Sequence, residues 1–349
     1  MNRNIAIIIK ATQDYIRHTE ADIKKNKPIL NLYFKSISKV YIPLLNMLNS
    51  FEKEGLKVKI GLVLPPVLCN LLSDDVLKDL YITWLEQKNE LGAAELERNK
   101  GDEKITALIR EEIEANENLK HDFESLYSKD LLKAFADKAK KGYIELLGTS
   151  GTDIFFPHYA DMREIISAQV ESGLHSYRQF FGNIPEGFWL PDFGYTPGVE
   201  KLIKAYGFSY TITDARSLLL SEKLPAKGIF YPVRTENSLA VFANDPDCYD
   251  DVFAAETGYV NQNSYRNEKR DIGFELQLEK LSPLMDGNSI RFEAGFKYWN
   301  QELQRLLKQE SAPFSEQRKP HLFLPVQEHQ SLSNNLYYHC PLQNPYSSI

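Results

Sequence analysis

Apolar residues in this chain come in short β-branched bursts, separated by longer stretches of helical spacing. Ile5–Ile9 has no polar face, the pattern of a parallel strand covered on both sides. A long helical stretch opens at Pro28 and runs to about Glu54, and Gly55 sits where helices turn left-handed. Val58, Ile60, Leu62 and Leu64 alternate through a second strand, Lys57–Leu64, which Pro65-Pro66 stops. From about residue 73 to 141 the pattern is helical and very polar. Its Glu/Lys-rich middle, Glu86 to Lys120, predicts a solvated helical excursion. Tyr143–Leu147 reads as a strand ending in Gly148-Thr-Ser-Gly151. Asp161 and Glu164 then offer a D-x-x-E helix start, followed by Ile166, Val170, Leu174 and Phe181 at helical spacing. Further strands are predicted over Gly187–Leu190, Phe208–Thr213, Ile229–Val233, Leu239–Phe242 and Leu322–Val326. Thr196-Pro197 enters one more helix, which Gly207 ends.

Strand and helix alternating in this way predict an α/β protein, either a parallel barrel or a doubly wound sheet. In both, chemistry gathers at the carboxyl ends of the strands. Those ends carry Lys10, Ala11 and Thr12; Thr149 to Asp153; Pro191 and Asp192; Asp214; Asn244 and Asp245; and Gln327 to His329.

Composition narrows the field. The 349 residues carry 41 basic and 48 acidic side chains, a net charge of −7 that argues against nucleic acid, whose phosphates call for dense Lys and Arg. No apolar stretch reaches the roughly 18 residues of a membrane span, and the short apolar run near Met1 lacks the pattern of a signal peptide, so a cytoplasmic protein is expected. Cysteines at 69, 248 and 340 are odd in number and far apart, which is neither a disulfide framework nor a metal motif. The histidines at 18, 121, 158, 175, 321, 329 and 339 offer no zinc-ligand spacing. The acidic run from Asp245 to Asp251 lacks the glycine of an EF-hand turn, and no phosphate-cradling glycine motif occurs. Neither a metal nor a cofactor is expected.

Asp192 is the carboxylate that stands out. It follows Phe188-Trp-Leu-Pro191 directly, placing an apolar wall and an aromatic plate, Trp189, beside one acid. Sugar chemistry uses that pairing: a ring to stack on and a carboxylate for the anomeric carbon. The segment Gly187-Phe-Trp-Leu-Pro-Asp-Phe-Gly-Tyr-Thr-Pro-Gly198 resembles the central motif of glycoside hydrolase family 57, the α-amylase, glucanotransferase and glucan-branching family. Glu145-Leu-Leu-Gly-Thr149 with Pro157 resembles that family's second motif. Val241-Phe-Ala-Asn-Asp-Pro246, Glu256-Thr-Gly-Tyr259, Tyr265 and Arg270-Asp-Ile-Gly-Phe274 resemble the run after its nucleophile. The resemblance implies a distorted (β/α)7-type parallel barrel over residues 1–349 as a single domain. The helical excursion would fall between the second and third strands, the family's helical C-terminal domain would be absent, and α-glucan or an oligosaccharide would be the ligand. Lys10, Thr12, Asp153, Trp189, Tyr195 and Asp245 would line the binding site.

The departures from the family pattern fall on the positions that do chemistry. Lys10-Ala-Thr12 stands where the family has His-x-His, and Asp153 where it has a histidine. Asp192 replaces the nucleophilic glutamate, and Ala243-Asn244-Asp245 lacks the family's arginine. Val326-Gln327 aligns with its tyrosine and acid/base aspartate, with Glu328 one residue on. A retaining glycosidase needs two carboxyl groups about 5–5.5 Å apart. Shortening the nucleophile withdraws its oxygen by roughly one C–C bond, and an error of about 1 Å can cost on the order of a hundredfold. An amide at Gln327 cannot donate the proton. Two readings follow: a catalytically impaired barrel that binds α-glucan or a protein partner, or a working hydrolase or transferase with Asp192 as nucleophile and Glu328 as acid.

Overall fold

Strands form at six of the β-branched bursts, and parallel pairing brings the carboxyl ends of these six to one side; the predicted strand Ile229–Val233 gives way to a 3-10 turn at Gly228–Phe230. The computed structural model describes residues 6–16, 27–101 and 103–246. The predicted strand Leu322–Val326, with Gln327 and Glu328 beyond it, lies outside those residues. Two compact units divide the described chain. One holds the residues up to Asp74 and from Asp130 onward, and the other holds Asp75–Lys129.

In the first unit, β1 (Ile8–Lys10), β2 (Ile60–Val63) and β3 (Ile144–Leu147) pair in parallel, with Ile9 against Leu62 and Leu62 against Leu146. β4 (Gly187–Trp189), β5 (Tyr210–Thr213) and β7 (Ala240–Ala243) form a second parallel set. β6 (Val233–Arg234) adds antiparallel to the edge of β7. A bridge from Gly148 to Phe188 links the two sets through Gly148 N–H to Gly187 O at 2.9 Å and Trp189 N–H to Gly148 O at 2.8 Å. Six parallel strands thus follow one another as β1-β2-β3-β4-β5-β7. Among the described residues β1 pairs with β2 alone, so the ring is not closed there.

Helices connect these strands. α1 (Lys27–Ser36), a π-helical turn (Ile37–Tyr41) and α2 (Ile42–Lys53) join β1 to β2, and Gly55 ends the run at φ +67°, as the sequence predicts. α3 (Pro66–Ser73) follows β2, and α6 (Leu131–Lys140), capped by the Asp130 side chain on Lys133 N–H, precedes β3. α7 (Arg163–Phe181) and α8 (Val199–Ala205) flank β4, and α9 (Ala215–Leu219) follows β5. Two helix starts differ from the sequence reading. Met162, not Asp161, occupies the cap position of α7 and gives it no side-chain bond; Gly198 at φ +94° precedes α8, one residue after Pro197. The outward core of the sheet packs Phe188 and Phe208 against Ile166, Val170 and Leu174 of α7 and Ile203 of α8, all buried. Burying side chains of this size stabilises by about 1.5–3 kcal/mol each.

The second unit is a helical hairpin, α4 (Asp75–Arg98) and α5 (Glu103–His121), ending in a π-helical turn (Asp122–Leu126). Tyr81 meets Phe123 edge-on at 4.9 Å, and Leu77, Leu85 and Ile109 are buried with them. The helical excursion that the sequence predicts is not solvated throughout: Lys88, Glu95, Thr106, Glu112 and Asn116 are buried. Burial pushes the Glu95 carboxyl up to about 7 against the pull of Arg98 and Asn99.

Candidate functional site

Side chains on the two faces of each strand alternate, so one face supplies the helix-packed core and the other lines the interior of the sheet. On the interior face Val63, Leu147 and Ile212 form a buried cluster, joined by Ile8, Trp189, Phe193 and Tyr210. Below it Glu145 accepts from the Tyr210 hydroxyl at 2.6 Å and pairs with Lys59 at 2.9 Å. Burial raises its pKa, but Tyr210 and Lys59 outweigh burial and hold it below the ordinary carboxylate value. Above the cluster lies the carboxyl rim, where Lys10, Thr12, Asp153, Asp192 and Asp245 stand at the ends of β1, β3, β4 and β7.

Asp192 sits on strained backbone. Leu190 is still extended; Pro191–Phe193 then closes a 3-10 turn in which Asp192 (φ +50°, ψ +28°) and Phe193 (φ +55°) are both left-handed. That conformation costs a residue with a side chain roughly 1–3 kcal/mol, so two in succession persist only where their surroundings impose them. The surroundings are explicit. Phe193 N–H donates to Leu190 O at 3.0 Å and Gly194 N–H to Pro191 O at 2.9 Å. A side chain at Gly194 would meet Phe155 and Pro157 at 2.8 Å, so the loop after β3 clamps the turn after β4. Three threonine hydroxyls hold carbonyls along the same segment: Thr149 to Trp189 O at 3.1 Å, Thr211 to Phe188 O at 2.8 Å and Thr213 to Phe193 O at 3.4 Å. Sequence reasoning placed Thr149 at a strand end but missed Thr211 and Thr213. Their signal, Thr in the interior of buried strands, is also the signal of ordinary β propensity.

The other predicted site residues take distinct roles. Lys10 and Asp153 meet in an ion pair at 2.9 Å, the lysine side chain 14% exposed and the aspartate 34%. Thr12 follows at a half-buried position. Trp189 packs within the interior cluster, its ring 4.9 Å from Phe193 at 50°; its buried indole N–H has no hydrogen-bond partner among the described residues. Tyr195 is turned to α8: its hydroxyl donates to Glu200 at 2.9 Å, and burial together with that carboxylate raises its pKa. Asn244 caps α9 by accepting from Ala215 N–H at 2.8 Å, while Asp214 holds Arg216 through its Nε at 2.9 Å. Asp245, the next residue, is exposed at the rim. Cys69 is buried, and burial pushes its thiol up to about 12. Among the described residues no three His, Cys, Asp or Glu side chains are grouped to hold a metal ion, and no helix is long and apolar enough to cross a membrane.

The comparisons with known proteins agree with the motif after β4. A 1,4-α-glucan branching enzyme of Thermococcus kodakarensis is 26% identical over 263 residues, which cover 67% of this chain and 38% of that protein. Among solved structures, the α-amylase AmyC of Thermotoga maritima superposes with a TM-score of 0.72 at 27% identity, covering 80% of this chain and 53% of that one. A GH57-type branching enzyme of the archaeon Pyrococcus horikoshii shares the fold with a TM-score of 0.65 at 24% identity, covering 75% of this chain and 50% of its own. The chain therefore spans well under two thirds of the length of each of these relatives. Residues 6–282 match the family that contains the motif after β4, and the chain belongs to glycosyl hydrolase family 57.

Proposed function

We propose that this protein is an α-glucan-binding β/α barrel of its family in which the chemistry at the rim is impaired. The observation that carries the reading is the Lys10–Asp153 ion pair at 2.9 Å. The family pattern has histidines at those two rim positions; here the two residues are committed to each other, and neither is a neutral donor for a sugar hydroxyl. Asn244, at the position of the family's arginine, likewise spends its side-chain oxygen on a helix cap. Gln327 puts an amide at the acid position, and one carboxyl group alone supports neither the retaining nor the inverting mechanism. Barrel closure, a single barrel domain carrying the helical excursion, and a cytoplasmic setting belong to the same proposal. A protein partner is the other ligand that the same proposal admits for the barrel.

The test is incubation with amylose, followed by reducing ends and by the iodine stain, alongside gel retardation in amylose. The reading expects retardation with no more than trace cleavage or transfer at any pH. Robust turnover that disappears in Glu328→Gln would replace it with the working enzyme. One observation favours that second reading: Asp192 and Phe193 keep two consecutive left-handed residues, and strain of this kind clusters at sites that use it. Asp192 would then attack the anomeric carbon and Glu328 protonate the leaving oxygen.

A further inference from the structure

Behind the rim turn, between the first turns of α7 and the length of α8, lies a cleft of about 460 Å³ whose occupant none of the chemistry above requires. Its size falls in the range of small-molecule sites, about 300–1,000 Å³. Ile166, Val199 and Leu202 supply an aliphatic floor. Ser167 and Tyr206, which share a hydrogen bond at 2.9 Å, put hydroxyl groups on one wall.

Two exposed cations border this space, Arg163 from α7 and Lys201 from α8. Among the described residues neither is paired with a carboxylate. The reasons are visible. Glu200, next to Lys201, is taken by the Tyr195 hydroxyl at 2.9 Å and the Gly198 N–H at 2.8 Å. Glu171 accepts from the Tyr206 hydroxyl at 3.5 Å, while Asp161 and Glu164 are exposed beside Ala160 and Arg163 in the chain. Arg163 extends across the cleft, its Nη2 lying 3.7 Å from the point where a side chain on Gly198 would begin. A forked guanidinium and an ammonium bordering one cavity match a phosphate monoester, which carries about −1.5 to −2 at neutral pH.

We propose that the α7–α8 cleft binds a phosphorylated monosaccharide, with the phosphate between Arg163 and Lys201 and the sugar over the floor toward Ser167 and Tyr206. The proposal does not depend on whether Asp192 is catalytic. It is tested by calorimetric titration of the full chain with glucose 6-phosphate, inorganic phosphate and glucose. The expected result is binding of glucose 6-phosphate at least about tenfold tighter than either fragment. That affinity should fall by about ten- to a hundredfold in Arg163→Gln and in Lys201→Gln, the range for a lost charge-assisted hydrogen bond. Ala205→Trp, which fills the cleft while keeping both cations, should abolish it. Saturating maltoheptaose should leave it unchanged, which separates this cleft from the rim. Equal affinity for inorganic phosphate, displacement by maltoheptaose, or binding that survives both Arg163→Gln and Ala205→Trp would overturn the assignment.

Discussion

Gly173 in the middle of α7 should be the position where adding a single methyl group does the most damage. Sequence reasoning alone favours Gly173→Ala, because alanine is about 1 kcal/mol better than glycine inside a helix. The structure reverses the sign. A Cβ at 173 would lie 1.8 Å from the Thr149 carbonyl oxygen and 2.9 Å from the carbonyl carbons of Thr149 and Ser150, all backbone atoms. Relief requires α7 and the loop after β3 to part by more than about 1 Å, since real Cβ contacts essentially never fall below 3.0 Å. That movement unseats Val170 and Leu174 from Phe188 and Phe208. It also pulls on the bonds from Gly151 N–H to Gln169 O at 2.7 Å and from Thr152 N–H to the Gln169 side chain at 2.8 Å. Overpacking costs about 1–3 kcal/mol, and a collision of backbone with a helix belongs at the upper end or beyond. The net expectation is a loss of roughly 2–3 kcal/mol after the helix-propensity gain, or a Tm about 3–4 °C lower in a chain of this size. Thermal and urea denaturation would measure it. Ala168→Gly, at an exposed position of the same helix, isolates the propensity term and should cost about 1 kcal/mol. A Gly173→Ala protein with unchanged or raised Tm would show that the α7–loop contact does not exist as described.

Glu95 has a folded pKa of about 7 against an ordinary 4.5, so its protonation stabilises the fold fully below about pH 4.5, and that contribution is lost as pH rises through 7. Glu95→Gln should therefore gain up to about 3 kcal/mol at pH 8 over wild type and flatten the slope between pH 5 and 8 in urea titrations. Cys69, with its thiol at about 12, should resist iodoacetamide in the folded protein at pH 8 and react only on denaturation, as peptide mapping would show. Asp192→Glu combined with Gln327→Asp should recover measurable amylose cleavage or transfer while either single change does little, because nucleophile and acid act as a unit. Equal recovery by one change alone would place the acid elsewhere. Lys10→Met should lower stability at low salt more than the double variant Lys10→Met, Asp153→Asn does, since removing one partner leaves a partly buried charge uncompensated. Identical losses would mean that the pair carries no coupling.

Strand positions and their common direction were legible in the sequence, because β-branched bursts have few other uses and helices of the right length lie between them. Six of the predicted strands appear to within a few residues at each end, where hydrogen-bond pairing, not hydrophobicity, sets the limits. Ile229–Val233 does not, because Gly228–Phe230 closes a 3-10 turn and only Val233–Arg234 pairs, antiparallel to β7, while Leu322–Val326 lies outside the described residues. Asp192 could be found because Trp189, Pro191 and Gly194 flank it in sequence, so its motif is local. Other features needed the fold. Lys10 and Asp153 are separated by more than a hundred positions, and nothing in either segment says that the two meet; parallel pairing of β1, β2 and β3 brings their ends together. The left-handed backbone at Asp192 and Phe193 is invisible in a sequence that offers no glycine there, because the strain is imposed by the clamp of Phe155 and Pro157 on Gly194. The same holds for the burial of Glu95 and Glu112, which composition marks as solvent-facing. Sequence determined what each segment prefers on its own, through side-chain shape and spacing. Tertiary structure decided which charges lose their water and which find each other, because those outcomes depend on neighbours brought close by folding and not by the order of the chain.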